Sequence, residues 1–392
     1  MKITRVTPYR AGRFLYVEVE TDTGIVGTGE SVAWGHLEAS QAAIEKFGTY
    51  LVGKDPGPIE HHWAVMHRFG HFKGAAICGA ISAIDIALWD IKGQALGVPI
   101  HALLGGPVRH KVRLYAHVKA ASREAMIEDC LDLKRQGFTA IGHLNPFLDE
   151  DRSVPYAKGH AAKIEDAVAV VRDLREALRP EVDLCIEIHR RLTPAEAIVF
   201  ANEIAPYRPM FYEDPMPPAS VDAMARIADK TAIPVATGER FATLHEFQAH
   251  IAARALSYAR VSVCLCGGLT GARKIAALAE AHDIQVVPHN PLSPVSLFAC
   301  LQLDAAIPNV AIQEYPTVGL EFEDAATPEA SRHTLRGTQF VTALPEVTDG
   351  YATIPDTPGL GVALSERGRS DPAPVPRTVE MRAHIDGFVV DQ

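Results

Sequence analysis

Cysteine is scarce and scattered. Cys78, Cys130, Cys185, Cys264, Cys266 and Cys300 are the only six in 392 residues. None forms a C-x-x-C pair, and Cys264 and Cys266 have no second pair near them, so neither a zinc ribbon nor a dithiol redox motif is expected. Free thiols in a reducing compartment are the natural reading, with the cytoplasm as the default location. Polybasic runs are missing: 38 Lys and Arg face 48 Asp and Glu, a formal charge of −10. Nucleic acid is therefore not an expected partner, because phosphate binding needs clustered cations. No stretch of about 18 apolar residues occurs, so neither a transmembrane helix nor a membrane partner is expected. The opening MKITRVTPYR lacks the apolar core of a signal peptide. The 29 Gly and 27 Pro follow no period, which excludes a collagen-like chain. Hydrophobic residues make up 47% of the sequence, too many for a disordered protein and enough to bury a core without staples.

What the chain does contain is organised in two rhythms. Phe14–Glu20 alternates as a strand, Thr21-Asp22-Thr23-Gly24 reads as a turn, and Ile25–Gly29 returns. Helical patterns follow at His36–Tyr50 and Ala75–Leu96. In the second, Ile77, Ile81, Ile84, Leu88 and Ile91 form an apolar stripe, and Gly97-Val98-Pro99 stops it. From residue 111, short apolar runs alternate with amphipathic helices. The runs are Val112–Val118, Ala140–Leu144, Leu184–His189, Met210–Tyr212, Val235–Thr237, Ala259–Val263, Gln285–Val287 and Val310–Gln313. Eight such units predict a (β/α)8 barrel, an α/β fold. The expected division is an α+β unit over 1–110, a barrel over 111–345, and a segment over 346–392 that packs back on the first unit. A closing helix is expected somewhere after Thr317.

The chemistry gathers at the strand ends. Glu187, Glu213 and Glu239 close three runs at spacings of 26 and 26; His289 follows 50 residues later and Glu314 another 25. That interval is one βα unit, so all five are predicted at the C-terminal mouth of the barrel, where such folds place their sites. Three carboxylates converging there need a cation. All-oxygen ligands select a hard ion, Mg²⁺ first and Mn²⁺ second. The plainer alternative is pairing with Lys or Arg around the rim. His189, two residues past Glu187, is predicted on the same face by strand period. Two imidazoles flanking such an ion suit removal of a proton next to a carboxylate.

The order Glu187, Glu213, Glu239, His289, Glu314 resembles the mandelate racemase branch of the enolase superfamily. SAIDIALWDIKGQALGVPIHALLGG is similar to that family's linker into the barrel. FYEDP, ATGER, CGGLTG, PHNPLSPVSLFACLQLDAAIPN and IQEYP resemble its acid-sugar dehydratases, those acting on galactonate, gluconate and mannonate. The resemblance implies an enolase-like modified barrel, a capping domain built from both chain segments, and one Mg²⁺ per subunit held by Glu187, Glu213 and Glu239. It further implies an enediolate intermediate, His189 as the acid that expels a 3-hydroxyl, His289 as the base, and Glu314 on the substrate carboxylate. The expected partners are a small-molecule sugar acid and further copies of the same chain.

Several positions depart from the family pattern. The first ligand is normally Asp, and Glu187 is longer by about 1.5 Å. Galactonate-type enzymes pair the strand-seven His with an Asp on strand six, where Ser262 stands here. Racemases carry Lys-x-Lys on strand two, where Gly142 and Leu144 stand, with His143 and Asn145 close by. His189–Pro194 (HRRLTP) resembles mannonate dehydratases, in which a Tyr and an Arg after strand two act as base. Tyr156 and Arg152 occupy such a loop here. Asn145, Arg152, Trp34 and His36 are the expected substrate contacts, with His71–Gly74 as a further specificity loop. The leading expectation is a sugar-acid dehydratase giving a 2-keto-3-deoxy acid. An epimerase, racemase or cycloisomerase would share the first proton transfer, and Glu187 and Ser262 leave room for a member whose catalysis has decayed.

Overall fold

The computed structural model of the chain describes residues 1–32, 34–148, 151–318, 334–371 and 379–391. The first unit opens with an antiparallel sheet of β1 (Ile3–Ala11), β2 (Phe14–Thr21) and β3 (Val26–Ser31). Helices α1 (Leu37–Leu51), α2 (Ile59–Phe69), α3 (Ala75–Leu96) and the short α4 (Ile100–Leu103) follow. Helix α3 lies against β3 at unusual range: a Cβ on Gly29 would stand 2.0 Å from the Ala83 carbonyl oxygen. Small residues on both elements allow this contact. β1 and α2 carry no clear pattern in the sequence, since β1 buries only its two end residues with no alternation between and α2 buries only three side chains.

The barrel comprises β4 (Lys111–His117), α5 (Arg123–Arg135), β5 (Ala140–Leu144), α6 (His160–Leu178), β6 (Asp183–Glu187), α7 (Pro194–Ile204), β7 (Phe211–Glu213), α8 (Val221–Lys230), β8 (Val235–Thr237), α9 (Leu244–Ala252), β9 (Tyr258–Ala259), α10 (Gly268–Glu280), β10 (Gln285–Val286), α11 (Pro294–Ala306) and β11 (Gln313–Tyr315). Strands β4 to β10 are parallel neighbours in order, Val286 bridges to Val310, and β11 pairs β4. The sheet therefore closes, and every strand falls on or beside its predicted apolar run. Inside, Tyr115, Ala140, Cys185, Phe211, Ala236, Val287 and Ile312 pack into one buried cluster. This apolar plug closes the barrel interior, so the mouth is a floored pit rather than a channel.

Beyond β11, β12 (Thr317–Val318) pairs β13 (Thr334–Leu335). The hairpin of β14 (Val347–Thr348) and β15 (Tyr351–Thr353) extends the sheet at the start of β4. Helix α12 (Glu366–Ser370) reaches the first unit: Arg369 pairs with Glu18, and Gly12 donates to Asp371. Phe340 packs edge-on against Phe14. A last hairpin, β16 (Arg382–Ala383) and β17 (Val389–Val390), ends the described chain. The only helices among the described residues after Thr317 are α12 and one 3-10 turn over Thr338–Phe340. Of the span 317–392, where a closing helix is expected, residues 319–333, 372–378 and 392 lie outside the described residues. Among the described residues no helix is long and apolar enough to cross a membrane.

The cap docks on the barrel through backbone as much as through side chains. Gly267 and Gly268 of the CGGLTG string have φ of 95° and 70°. A Cβ on the first would meet the Trp63 indole at 2.6 Å, and on the second the Asp85 carboxylate at 2.2 Å. Instead the Gly267 amide donates to Ser82 Oγ, its carbonyl accepts from Trp63, and Thr270 N donates to Asp85. Glu30 on β3 accepts from Ser293 Oγ at 2.6 Å and from Ser296 N at 3.0 Å. It thereby caps α11, a favourable place for an acid beside a helix N-terminus.

Candidate active site at the barrel mouth

Glu187 and Glu213 are the last residues of β6 and β7, and Glu239 follows β8 by two residues. Adjacent parallel strands with aligned ends bring their carboxylates together: one oxygen of each lies within 4.8 Å of the others. All three are buried or nearly so. Burial and the neighbouring acids push Glu213 and Glu239 well above the usual carboxylate range. Burial also acts against ionised Glu187, but the imidazoles of His189 and His143 facing its oxygens hold it well below that range. Its Oε1 is buried and, though close to His189 Nε2, accepts no well-aligned hydrogen bond among the described residues. Crowded anions and an orphaned acceptor are what a cation site looks like when described from its ligands alone.

Part of the charge is met by a residue the sequence reading overlooked. Arg260 follows β9 directly and its side chain is 1% exposed. Its Nε pairs with Glu213, its Nη2 lies 2.6 Å from Glu314 Oε2, and its Nη1 donates to the Val287 carbonyl at 3.1 Å. It sits over the Tyr115 ring. The signal was present as a lone cation inside the apolar run ALSYARVSVCL; a buried cation must have buried anions. Pairing with arginine is thus realised for Glu213 and Glu314 through the buried Arg260 and, at the rim, for Glu239 through the half-exposed Arg240, whose Nε lies 3.2 Å from Glu239 Oε1. Among the described residues Glu187 is paired only with imidazoles, and it keeps a requirement for positive charge.

Four imidazoles surround the acids. His189 Nε2 is 3.0 Å from Glu187 Oε1, and His143 Nδ1 is 2.9 Å from Glu187 Oε2. His117, the last residue of β4, places Nε2 2.7 Å from Glu314 Oε1. His289 Nε2 is 3.3 Å from Glu239 Oε2. His117 and His143 stack at 4.8 Å, and His143 meets His189 edge-on at 4.6 Å. The strand period does not deliver His189 as reasoned from sequence. The strand ends at Glu187, and His189 is reached through a left-handed residue with φ 51°. His143 is also left-handed, φ 53°. His117 closes its strand as the acids do, a position that could have flagged it. Burial pushes His289 down to about 4, and its Nδ1 has no hydrogen-bond partner among the described residues. No carboxylate meets that nitrogen there, in keeping with Ser262 on the neighbouring chain segment.

Glu314 accepts from Arg260, His117 and the Asn290 amide, and these hold it well below its usual range despite burial. Asn145 follows β5, is buried, and leaves Nδ2 without a partner. The remaining expected contacts lie farther out. Trp34 is half-buried beneath the Arg13 guanidinium, and His36 is exposed before α1. Arg152 is exposed. Tyr156 is tied by its backbone to Ala383 and Ile385 of the last hairpin, with Arg382 over its ring.

A closed parallel barrel with acids at consecutive strand ends, capped by an α+β unit, defines the class. Residues 96–368 match the enolase C-terminal domain-like family, and residues 2–105 match the mandelate racemase/muconate lactonizing enzyme N-terminal domain. The chain belongs to the mandelate racemase/muconate lactonizing enzyme family of the enolase superfamily. It is 36% identical over 401 residues to a protein named D-galactonate dehydratase from Pectobacterium atrosepticum, covering 100% of both chains. A protein of the same name from Xanthomonas oryzae is 36% identical over 93% of each. Among solved structures, an enolase from Pantoea ananatis with bound D-gluconate and Mg superposes with TM-score 0.87 at 28% identity, covering 100% of both chains. One from Agrobacterium radiobacter, with Na and L-malate, gives 0.89 at 28% identity, again over 100% of both.

Proposed function

We propose that this chain is a Mg²⁺-dependent dehydratase of a sugar acid, a hydro-lyase that forms a 2-keto-3-deoxy acid. The observation that carries the reading is the convergence of Glu187, Glu213 and Glu239 between His189 and His289. Full-length relatives named dehydratases support it. Glu187, Glu213 and Glu239 hold the ion, since hard oxygen donors suit Mg²⁺. When bound, the ion supplies positive charge beside the substrate carboxylate and lowers the cost of taking the α-proton. His289 takes that proton: its burial keeps it neutral, hence able to accept, at pH 7. His189, on the Glu187 side, returns a proton to the departing 3-hydroxyl. Arg260, His117 and Glu314 form the end of the pit that orients the substrate carboxylate, with Asn145 Nδ2 offering a donor. Tyr156, held by the last hairpin, is the second choice for the base. Trp34, His36 and Arg152 frame the entrance and act on specificity. Self-association is part of the same reading, supported by Met381, Ile385, Phe388 and Val389, which leave an exposed apolar strip on that hairpin; sedimentation checks it.

The test is NMR in D₂O with a library of acid sugars. Wild type should exchange the α-proton and lose water. His189→Asn should stop water loss yet keep slow exchange, and His289→Asn should stop both. Full exchange in His289→Asn would move the base role to Tyr156. Exchange without water loss in wild type would favour the epimerase reading, and no exchange with any acid sugar the decayed one.

A further inference from the structure

His143 has no part in the chemistry above, yet it is among the most firmly oriented side chains at the mouth. Its backbone is left-handed, its ring is stacked on His117, and His117 is pinned to Glu314. Its Nδ1 is hydrogen-bonded to Glu187 Oε2 at 2.9 Å, while His189 Nε2 lies 3.0 Å from Glu187 Oε1. One donor atom from each of His143, Glu187 and His189 lies within 4.8 Å of the others. An ion about 2.1 Å from each donor needs donors roughly 3 to 3.5 Å apart. The two measured N–O separations, 2.9 Å to Oε2 and 3.0 Å to Oε1, stand at the short end of that range and engage both oxygens of the one carboxylate. Glu187 Oε1 is buried and, although His189 Nε2 stands 3.0 Å away, accepts no well-aligned hydrogen bond among the described residues. The two imidazoles are 21% and 24% exposed, so an ion can reach them from the mouth.

The donor chemistry differs from that of the three carboxylates. Two imidazoles and one carboxylate suit a borderline ion such as Zn²⁺ or Co²⁺ far better than Mg²⁺, which prefers oxygen and sheds water reluctantly. The longer side chain of Glu187 extends into the imidazole pair and gives one carboxylate to both donor sets.

We propose that His143, Glu187 and His189 form a second divalent-cation site for a borderline ion of the Zn²⁺ type, sharing Glu187 with the three-carboxylate site and withdrawing His189 from proton transfer when filled. The site stands on ligand geometry; only its inhibitory consequence rests on the dehydratase reading.

The experiment dialyses the full chain against Zn²⁺ with Mg²⁺ saturating, followed by elemental analysis. Wild type should retain one Zn²⁺ beside one Mg²⁺. His143→Ala and His143→Gln should weaken Zn²⁺ binding by more than about 100-fold, beyond the loss expected for removing an outer partner, and Mg²⁺ binding by less than about tenfold. Zn²⁺ absent from wild type, Zn²⁺ replacing Mg²⁺ one for one, or unchanged binding in both variants would overturn the site. Should both variants fail to fold, Co²⁺ added to Mg²⁺-saturated wild type decides. Paramagnetically shifted, exchangeable imidazole N–H resonances of two Co²⁺-bound histidines in the proton NMR spectrum support the site, and their absence with Co²⁺ bound refutes it. Because no substrate is present, a negative result leaves the dehydratase reading intact, and inactivity toward every acid sugar leaves the site intact. With turnover, excess Zn²⁺ should reproduce His189→Asn, losing water elimination while keeping exchange; equal loss of both refutes the inhibitory role.

Discussion

Two sets of buried carboxylates sit within this chain and are built on opposite plans. At the seam between cap and barrel, Glu30, Asp85 and Asp90 stand apart from one another, each met by fixed donors. Asp90, for instance, accepts from Thr28 N, Leu360 N and the Gln94 amide. At the mouth, Glu187, Glu213 and Glu239 crowd within reach of each other, and of the three only Glu213 meets the buried guanidinium of Arg260. Burial raises the seam acids to about 7, 7 and 6 in the same order. At the mouth, mutual repulsion adds to burial. Acids spent on architecture are separated and each held by its own donors, whereas acids kept for chemistry are concentrated on one another.

The sharpest way to break this contrast is Glu213→Gln. Mg²⁺ affinity should fall by more than about 100-fold with little loss of stability, because the variant removes a ligand but also relieves like-charge crowding. Calorimetry of Mg²⁺ binding together with a thermal melt checks both halves, and unchanged binding would falsify the ligand assignment. Asp90→Ala should do the reverse, costing about 3 kcal/mol in denaturant melts by stranding buried amide donors, while Mg²⁺ affinity stays as in wild type.

Glu30 tests the seam by pH. Its folded pKa, about 7, lies above the usual 4.5. The native state therefore binds more protons between those values, and stability falls as pH rises through that window. The full shift corresponds to about 3 kcal/mol. In Glu30→Gln the slope of stability between pH 4.5 and 7 should be shallower than in wild type by that contribution. Parallel curves for the two proteins would show that Glu30 is not the titrating group.

The smallest effect concerns His289, neutral down to about pH 4. Ser262→Asp should supply the missing anion, raise the imidazole pKa by about one unit or more, and carry the acidic limb of the α-proton exchange profile upward with it. An unmoved limb would mean that another group sets it.

The barrel was legible because a parallel strand buried on both faces writes itself as an apolar run, and the interval between runs put five site residues at one end. Less legible was anything that depended on local backbone. His189 and His143 reach Glu187 through left-handed residues that no period anticipates. Arg260 looked like a blemish in a strand because its partners, Glu213 and Glu314, are 47 and 54 residues away. CGGLTG could be matched to relatives as a string, but its physical reason, the approach of Trp63 and Asp85 to two glycines, is a contact between distant segments. Ser122, Thr193, Ser220, Thr243 and Ser293 each cap a helix with a side-chain oxygen, which fixes where each helix begins at the mouth side of its strand.

Arg260 also bears on what the protein is like before it meets an ion. Its Nε holds the same Glu213 that a cation would claim, and it keeps Glu314 and two carbonyls as further anchors. The guanidinium is a resident placeholder: it stands in for part of the missing positive charge and can give up one oxygen without leaving its post. An ion held by the proposed ligands would exchange one cationic contact on Glu213 for another, with the mouth already in shape around Arg260.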